Sequence, residues 1–311
     1  MRTHASHHRP RAVDAGRWTT RRLVAFGLGA LAALCAAPAS ADWVTDLAAG
    51  AFANSNLGNA TAGPDVHAVN GLSTSLSTGP VWELRPGTSL ILTADFRSEA
   101  LDRFTTQDNV AASVRARVDE KIGLGRSAPH VYLAGSQSRL EFRDNLRSGW
   151  LSTFTGGARG SFGDQLVLRS ELGYEHRSGT DAPPVRAGLA SNVFDQSNRR
   201  VGIGADFSAT DRLLLQFDVT WRRGDADYIE TTTPADTFAG ATAAALDRGF
   251  GPSVFVEKVQ ARALLLDWSV SWALGEHASL NATFRRQLSL DTTGTLYTRS
   301  VPAITYQYRF D

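Results

Sequence analysis

Long stretches of this chain alternate, residue by residue, between apolar and polar side chains. That period of two limits what the chain can fold into more than any other feature. Across residues 212–222 the odd positions are Leu213, Leu215, Phe217, Val219 and Trp221; the even ones are Arg212, Leu214, Gln216, Asp218, Thr220 and Arg222, so only Leu214 breaks the pattern. Across 264–274, Leu264, Leu266, Trp268, Val270, Trp272 and Leu274 alternate with Leu265, Asp267, Ser269, Ser271 and Ala273. Residues 110–118 set Val110, Ala112, Val114, Ala116 and Val118 against Ala111, Ser113, Arg115 and Arg117. Successive strand residues point to opposite faces, so such a pattern needs one apolar and one polar surrounding. A soluble sandwich and a membrane barrel both provide that.

Three features separate them. The alternating segments run to about 9–12 residues, the length that crosses a bilayer at a tilt, whereas strands of globular proteins average about 5–6. Trp82, Phe104, Phe142, Trp150, Phe162, Tyr174, Trp221, Tyr228, Trp272 and Tyr297 stand near strand ends, where interfacial girdles place aromatics. The connections also differ in length. Strands are expected near 45–56, 68–84, 88–103, 109–121, 130–143, 149–161, 165–178, 199–209, 212–228, 257–274, 278–291 and 295–310. Tight Gly-, Pro- and Asp-bearing turns follow most even-numbered strands, at 84–87, 162–164, 209–211 and 275–277, while longer connections at 57–67, 179–198 and 229–256 follow odd ones. The expected fold is therefore all-β: a closed antiparallel up-and-down transmembrane β-barrel of about twelve strands, with short turns in the periplasm and long loops outside. Within the longest loop, 241–246 after Gly240 reads as a short helix.

The N-terminus reads as a cleaved leader. Six arginines and one acid occupy the first 22 residues, an apolar run covers 23–37, and Pro38-Ala39-Ser40-Ala41 offers a small-residue cleavage site. The expected division is a signal peptide over 1–41 and the barrel over 42–311. Cys35, the single cysteine, leaves with the leader, and the remainder carries 26 basic against 30 acidic residues, a formal charge of −4. No basic stripe points to nucleic acid.

At the other end, Ile304, Tyr306, Tyr308 and Phe310 alternate on one face. This resembles the C-terminal signature of Gram-negative outer-membrane β-barrel proteins, which the insertion machinery reads, although here Asp311 follows the aromatic. The resemblance implies residence in the outer membrane. It also implies outer-membrane lipid, periplasmic chaperones and the barrel-insertion machinery as partners, with Tyr306, Tyr308 and Phe310 as the insertion signal.

Parity puts Asp95, Arg97, Arg115, Arg117, Glu171, Asp218, Arg222, Asp267 and Arg285 on the lumen side. Two readings follow: ion pairs that brace a narrow wall, or a polar pore that passes a small solute. Eight strands are filled by side chains and sixteen leave an aqueous channel, so about twelve is intermediate. Gly156, Gly157 and Gly160 mark close backbone approach or a bend. Arg286 falls on the lipid face, so it is expected near an interface, or else a bulge shifts the parity there.

The alternative is an enzyme. His176 and Ser178 share a face at the outer end of their strand, and Asn198 opens the next one. The set resembles the His-x-Ser pair and orienting Asn of outer-membrane phospholipase A, with lipid A deacylases as a variant. The resemblance implies Ser178 as nucleophile, His176 as base and Asn198 as orienter, but the phospholipase pattern continues Asn-Gly where this chain has Gly179-Thr180. His67, His130, His176 and His277 lack metal-ligand spacing. No metal and no cofactor are expected.

Overall fold

The computed structural model describes residues 41–61, 63–125, 127–231, 238 and 240–310. Residues 1–40, where the leader is expected, lie outside these. Among the described residues thirteen strands follow one another: β1 (Asp42–Asn54), β2 (Val69–Arg85), β3 (Thr88–Leu101), β4 (Asn109–Lys121), β5 (His130–Phe142), β6 (Gly149–Phe162), β7 (Leu166–Gly179), β8 (Gln196–Thr210), β9 (Leu213–Thr231), β10 (Ala243–Leu246), β11 (Val254–Ala273), β12 (Ala278–Asp291) and β13 (Leu296–Phe310). All but β10 form a closed antiparallel ring of twelve, in which β9 joins β11 and β13 returns to β1. Thr45 faces Phe310 and Phe52 faces Ala303 along the closing seam. Arg309 Nε donates to Asp46 Oδ1 at 2.8 Å across it. Closure pairs every strand edge, as hydrocarbon requires of a backbone with no water to bond.

The alternation sorts the two faces. Leu72, Leu133, Phe154, Leu172, Ile203 and Ile304, all on the outer wall, are each 59–65% exposed. A belt of this size in water would be an aggregation surface; in lipid it is the favourable face. The short turns gather at the end where β1 begins and β13 ends. Gly87 (φ +85°) and Gly163 (φ +70°) take left-handed conformations there, which a Cβ disfavours. The long connections gather at the other end, the external one in barrels of this type.

Arg286 keeps its outward parity, because the β11–β12 and β12–β13 registers run without a shift. The structure therefore has no bulge there. The side chain donates from Nη1 to Ser300 Oγ at 2.6 Å on the neighbouring strand. A cation on the lipid face costs about 2–4 kcal/mol at the midplane and about 0–1 near an interface, and the hydrogen bond to Ser300 offsets part of that.

The expected helix at 241–246 is instead mostly strand, β10. The outer part of β11 runs past the end of β12, whose last partner is Ala261. That leaves a row of unpaired backbone groups from Val254 to Lys258 on that side. β10 pairs with them, Ala243 facing Lys258 and Leu246 facing Phe255. The need to satisfy a buried edge outweighs the helix preference of alanine.

Candidate functional site

The inner wall between β4 and β9 is built by long side chains lying flat across their neighbours. Tyr132 on β5 reaches over β6 to give its hydroxyl to Glu171 Oε2 on β7 at 2.7 Å. It crosses the wall at Gly157, where an added Cβ would stand 2.6 Å from its ring. Arg200 on β8 crosses β7 at Gly173 and donates to Thr155 Oγ1 on β6 at 3.1 Å, while pairing with Glu171 at 2.9 Å. Arg169 pairs with Asp218 at 3.1 Å and Asp206 at 2.8 Å. Arg117 pairs with Asp119 at 2.6 Å and lies 4.0 Å over the Tyr132 ring. Each of these contacts stays within a strand or joins it to a near neighbour along the wall.

The barrel also holds a cavity of about 1210 Å³, which none of these groups lines. Asp95, Arg97, Arg115, Arg222, Asp267 and Arg285 line it, with Glu99, Glu175, Arg177 and Arg299. Most of its charges are matched. Arg285 pairs with Asp267 at 2.6 Å, Arg222 with Glu175 at 3.7 Å, and Arg97 with Glu99; Asp95 accepts from Ser77 at 2.5 Å and faces Arg115 at 3.9 Å. Arg299 enters the cavity with no ion pair or hydrogen bond among the described residues.

The outer mouth is closed by the connections themselves. Ala60, Val193, Phe194, Ile229, Ala243, Ala245, Val254 and Val256 form a buried apolar core there. His67, Phe104 and Phe250 stack from three different connections, with centroids 4.7–5.6 Å apart. Thr106 Oγ1 donates to the Gly249 carbonyl at 3.2 Å. Thr106 follows β3 and Gly249 precedes β11, strands on opposite sides of the ring, so the contact spans the mouth. Gly58 O accepts from the Ile229 amide at 2.9 Å, and Ala190 O from the Ala244 amide at 2.9 Å.

Arg147 ties this cap together. Asp144 accepts from the Leu146 amide at 3.2 Å and sets a short 3-10 turn over Asn145–Arg147 that carries the side chain inward. Its guanidinium donates from Nη2 to Asp247 Oδ2 at 2.6 Å and from Nη1 to Asp227 Oδ2 at 3.4 Å. It lies 4.6 Å over the Phe194 ring and 5.6 Å from that of Phe250. The Arg147 side chain is 10% exposed and that of Asp247 is fully buried. One cation thus joins the β5–β6 connection, the top of β9 and the β10–β11 connection. Four aromatics expected in a girdle serve the mouth instead: Phe104 in the stack, Phe142 in the cavity lining, and Tyr228 against Tyr297 at 5.1 Å, with Tyr228 donating to buried Glu257 at 2.7 Å.

The structure does not bring His176, Ser178 and Asn198 together. Asn198 faces Glu175 in the register and lines the cavity, so the wall's backbone separates it from His176 on the outer face. Ser178 lies opposite Trp150. The groups that reach His176 are Ser197, with Oγ 3.0 Å from Nδ1, and Asp195, 3.9 Å from Nε2.

No protein-family model and no curated protein matches this sequence. Solved structures do. An outer membrane channel from Pseudomonas putida F1 aligns over 88% of this chain and 97% of its own, with a TM-score of 0.58 at 8% identity. The translocator domain of the autotransporter NalP from Neisseria meningitidis aligns over 94% and 98%, with a TM-score of 0.40 at 10% identity. At such identity the first likeness speaks to the fold alone. With its closed ring of twelve strands, its exposed apolar belt and this shared fold, the chain has the fold of the β-barrel proteins of the Gram-negative outer membrane.

Proposed function

We propose that the barrel is a narrow channel for small polar solutes, held shut at its outer mouth by the cap of connections. The observation that carries this reading is the cavity of about 1210 Å³, walled by ionised side chains and lying directly beneath the cap. The charges of both signs on facing strands would hydrate and orient a polar solute, and their mutual pairing keeps each one satisfied while no solute is present.

Single-channel recording in planar bilayers tests it. The intact barrel is expected to show small, infrequent openings. Replacing residues 232–253 by a short Gly-Ser turn is expected to give larger and longer ones. A folded barrel that stays silent in both forms would remove the channel reading.

A further inference from the structure

The outer wall carries a second feature, independent of the lumen. Arg199 on β8, Arg223 on β9 and Arg262 on β11 point outward side by side. Arg199 faces Arg223, and Arg223 faces Arg262, in the strand registers. All three are exposed, and among the described residues none has an ion pair or a side-chain hydrogen bond. Directly opposed like charges on paired strands repel, and among the described residues no ion pair offsets that here. Asp225, two residues beyond Arg223, already accepts from the Ser197 amide at 2.8 Å and from the Gln260 side chain. Lys258 is turned to the Asn192 and Asp195 carbonyls at 3.2 and 2.9 Å.

The height of the row identifies what it meets. Below Arg223 the outward side chains of β9 are Trp221, Val219, Phe217, Leu215 and Leu213. Ten residues of a strand tilted by about 40° climb about 25 Å, the height of the apolar belt of such barrels. The arginines therefore stand just above the belt on the external side. Trp221, Val201 and Leu264 make an apolar row directly beneath them, in register with one another. At this level the surrounding medium is the headgroup layer of the outer leaflet. An arginine fork matches phosphate oxygens in pairs. We propose that Arg199, Arg223 and Arg262 bind the phosphate groups of an anionic outer-leaflet glycolipid, with the acyl chains lying on the apolar row below.

The test uses the full barrel in detergent micelles, titrated with bis-phosphorylated lipid A and read by native mass spectrometry. Wild type is expected to hold lipid A at least tenfold more tightly than the same lipid stripped of its phosphates. The triple variant Arg199→Gln, Arg223→Gln, Arg262→Gln is expected to lose that difference. Equal binding of the two lipids by wild type, or an undiminished preference in the triple variant, would overturn the proposal. Displacement of lipid A by an equal concentration of inorganic phosphate would overturn it too, because the site would then read a free anion. Heat-dependent gel mobility reports whether the triple variant is folded. If it is not, Arg223→Gln alone carries the test, with at least a threefold loss expected and an unchanged affinity counting against the proposal. Channel openings are expected to be unaffected, since none of the three lines the cavity.

Discussion

Removing the Arg147 guanidinium while keeping its apolar stem isolates the tie that holds the cap. In Arg147→Met, Asp247 stays fully buried and loses its partner at 2.6 Å, keeping only the Gly249 amide at 3.0 Å. Breaking a buried pair from one side costs about 3–5 kcal/mol, because the remaining charge is left uncompensated. The lower end applies, since Asp227 is 22% exposed and still accepts from Gln196 at 3.1 Å. The barrel wall does not depend on this contact, so the cost falls on the closed cap. A loss of about 3 kcal/mol corresponds to about a hundredfold change in the ratio of closed to open forms. Single-channel recording is expected to show the open fraction rising by about that factor, with the conductance of the open state unchanged. Adding Asp247→Asn removes the stranded charge and is expected to recover part of the closure, a coupling of at least about 1 kcal/mol between the two positions. A folded Arg147→Met barrel whose open fraction stays within about threefold of wild type would refute the reasoning.

Two further outcomes follow from the same geometry. Gly157→Ala is expected to destabilise the barrel by about 1–3 kcal/mol in urea unfolding from lipid vesicles, because the new Cβ would meet the Ser170 carbonyl and the Tyr132 ring at 2.6 Å. Gly173→Ala is expected to cost less, since its close neighbours are the atoms of the flexible Arg200 side chain; equal costs would count against the wall-crossing account. Phe310→Ala is expected to slow insertion of the barrel in cells without lowering the stability of the barrel once folded in vesicles, and an unchanged folding yield would dissociate Phe310 from the insertion signal.

Strand positions were legible because a membrane barrel writes both of its faces into every strand. Leu213, Leu215, Phe217, Val219 and Trp221 need lipid on one side, and Gln216, Asp218 and Arg222 need water on the other. The cap was not legible, because its contacts join segments far apart in the chain and follow no period. Arg147 and Asp247 are 100 residues apart. The only local sign of the turn that projects Arg147 was the Asp144-Asn145 pair ahead of it. β10 was misread for the same reason: a run of alanines suits a helix until a distant strand offers an unpaired edge. Phe142, Tyr228 and Tyr297 fall on inward positions of their strands, so membership of a lipid-facing girdle was excluded for them by counting. The same count separates Asn198 from His176, which sit on positions of opposite face once their strands pair.

The wall and the cap divide the work of the barrel between them. In a smaller ring inward side chains would meet across the axis and close it. Here glycines at the crossing points let Tyr132 and Arg200 lie down along the wall, and Arg169 with its two carboxylate partners braces the same region. A brace laid along the wall stiffens the ring. The wall therefore contributes rigidity and a charged surface, and the connections cross over the outer mouth. The cap is assembled from connections, one small apolar core, and a cation bridging three segments. A ring braced along its wall and a cap built on separate connections can open at one end without loosening the fold, which is the arrangement the proposed channel requires.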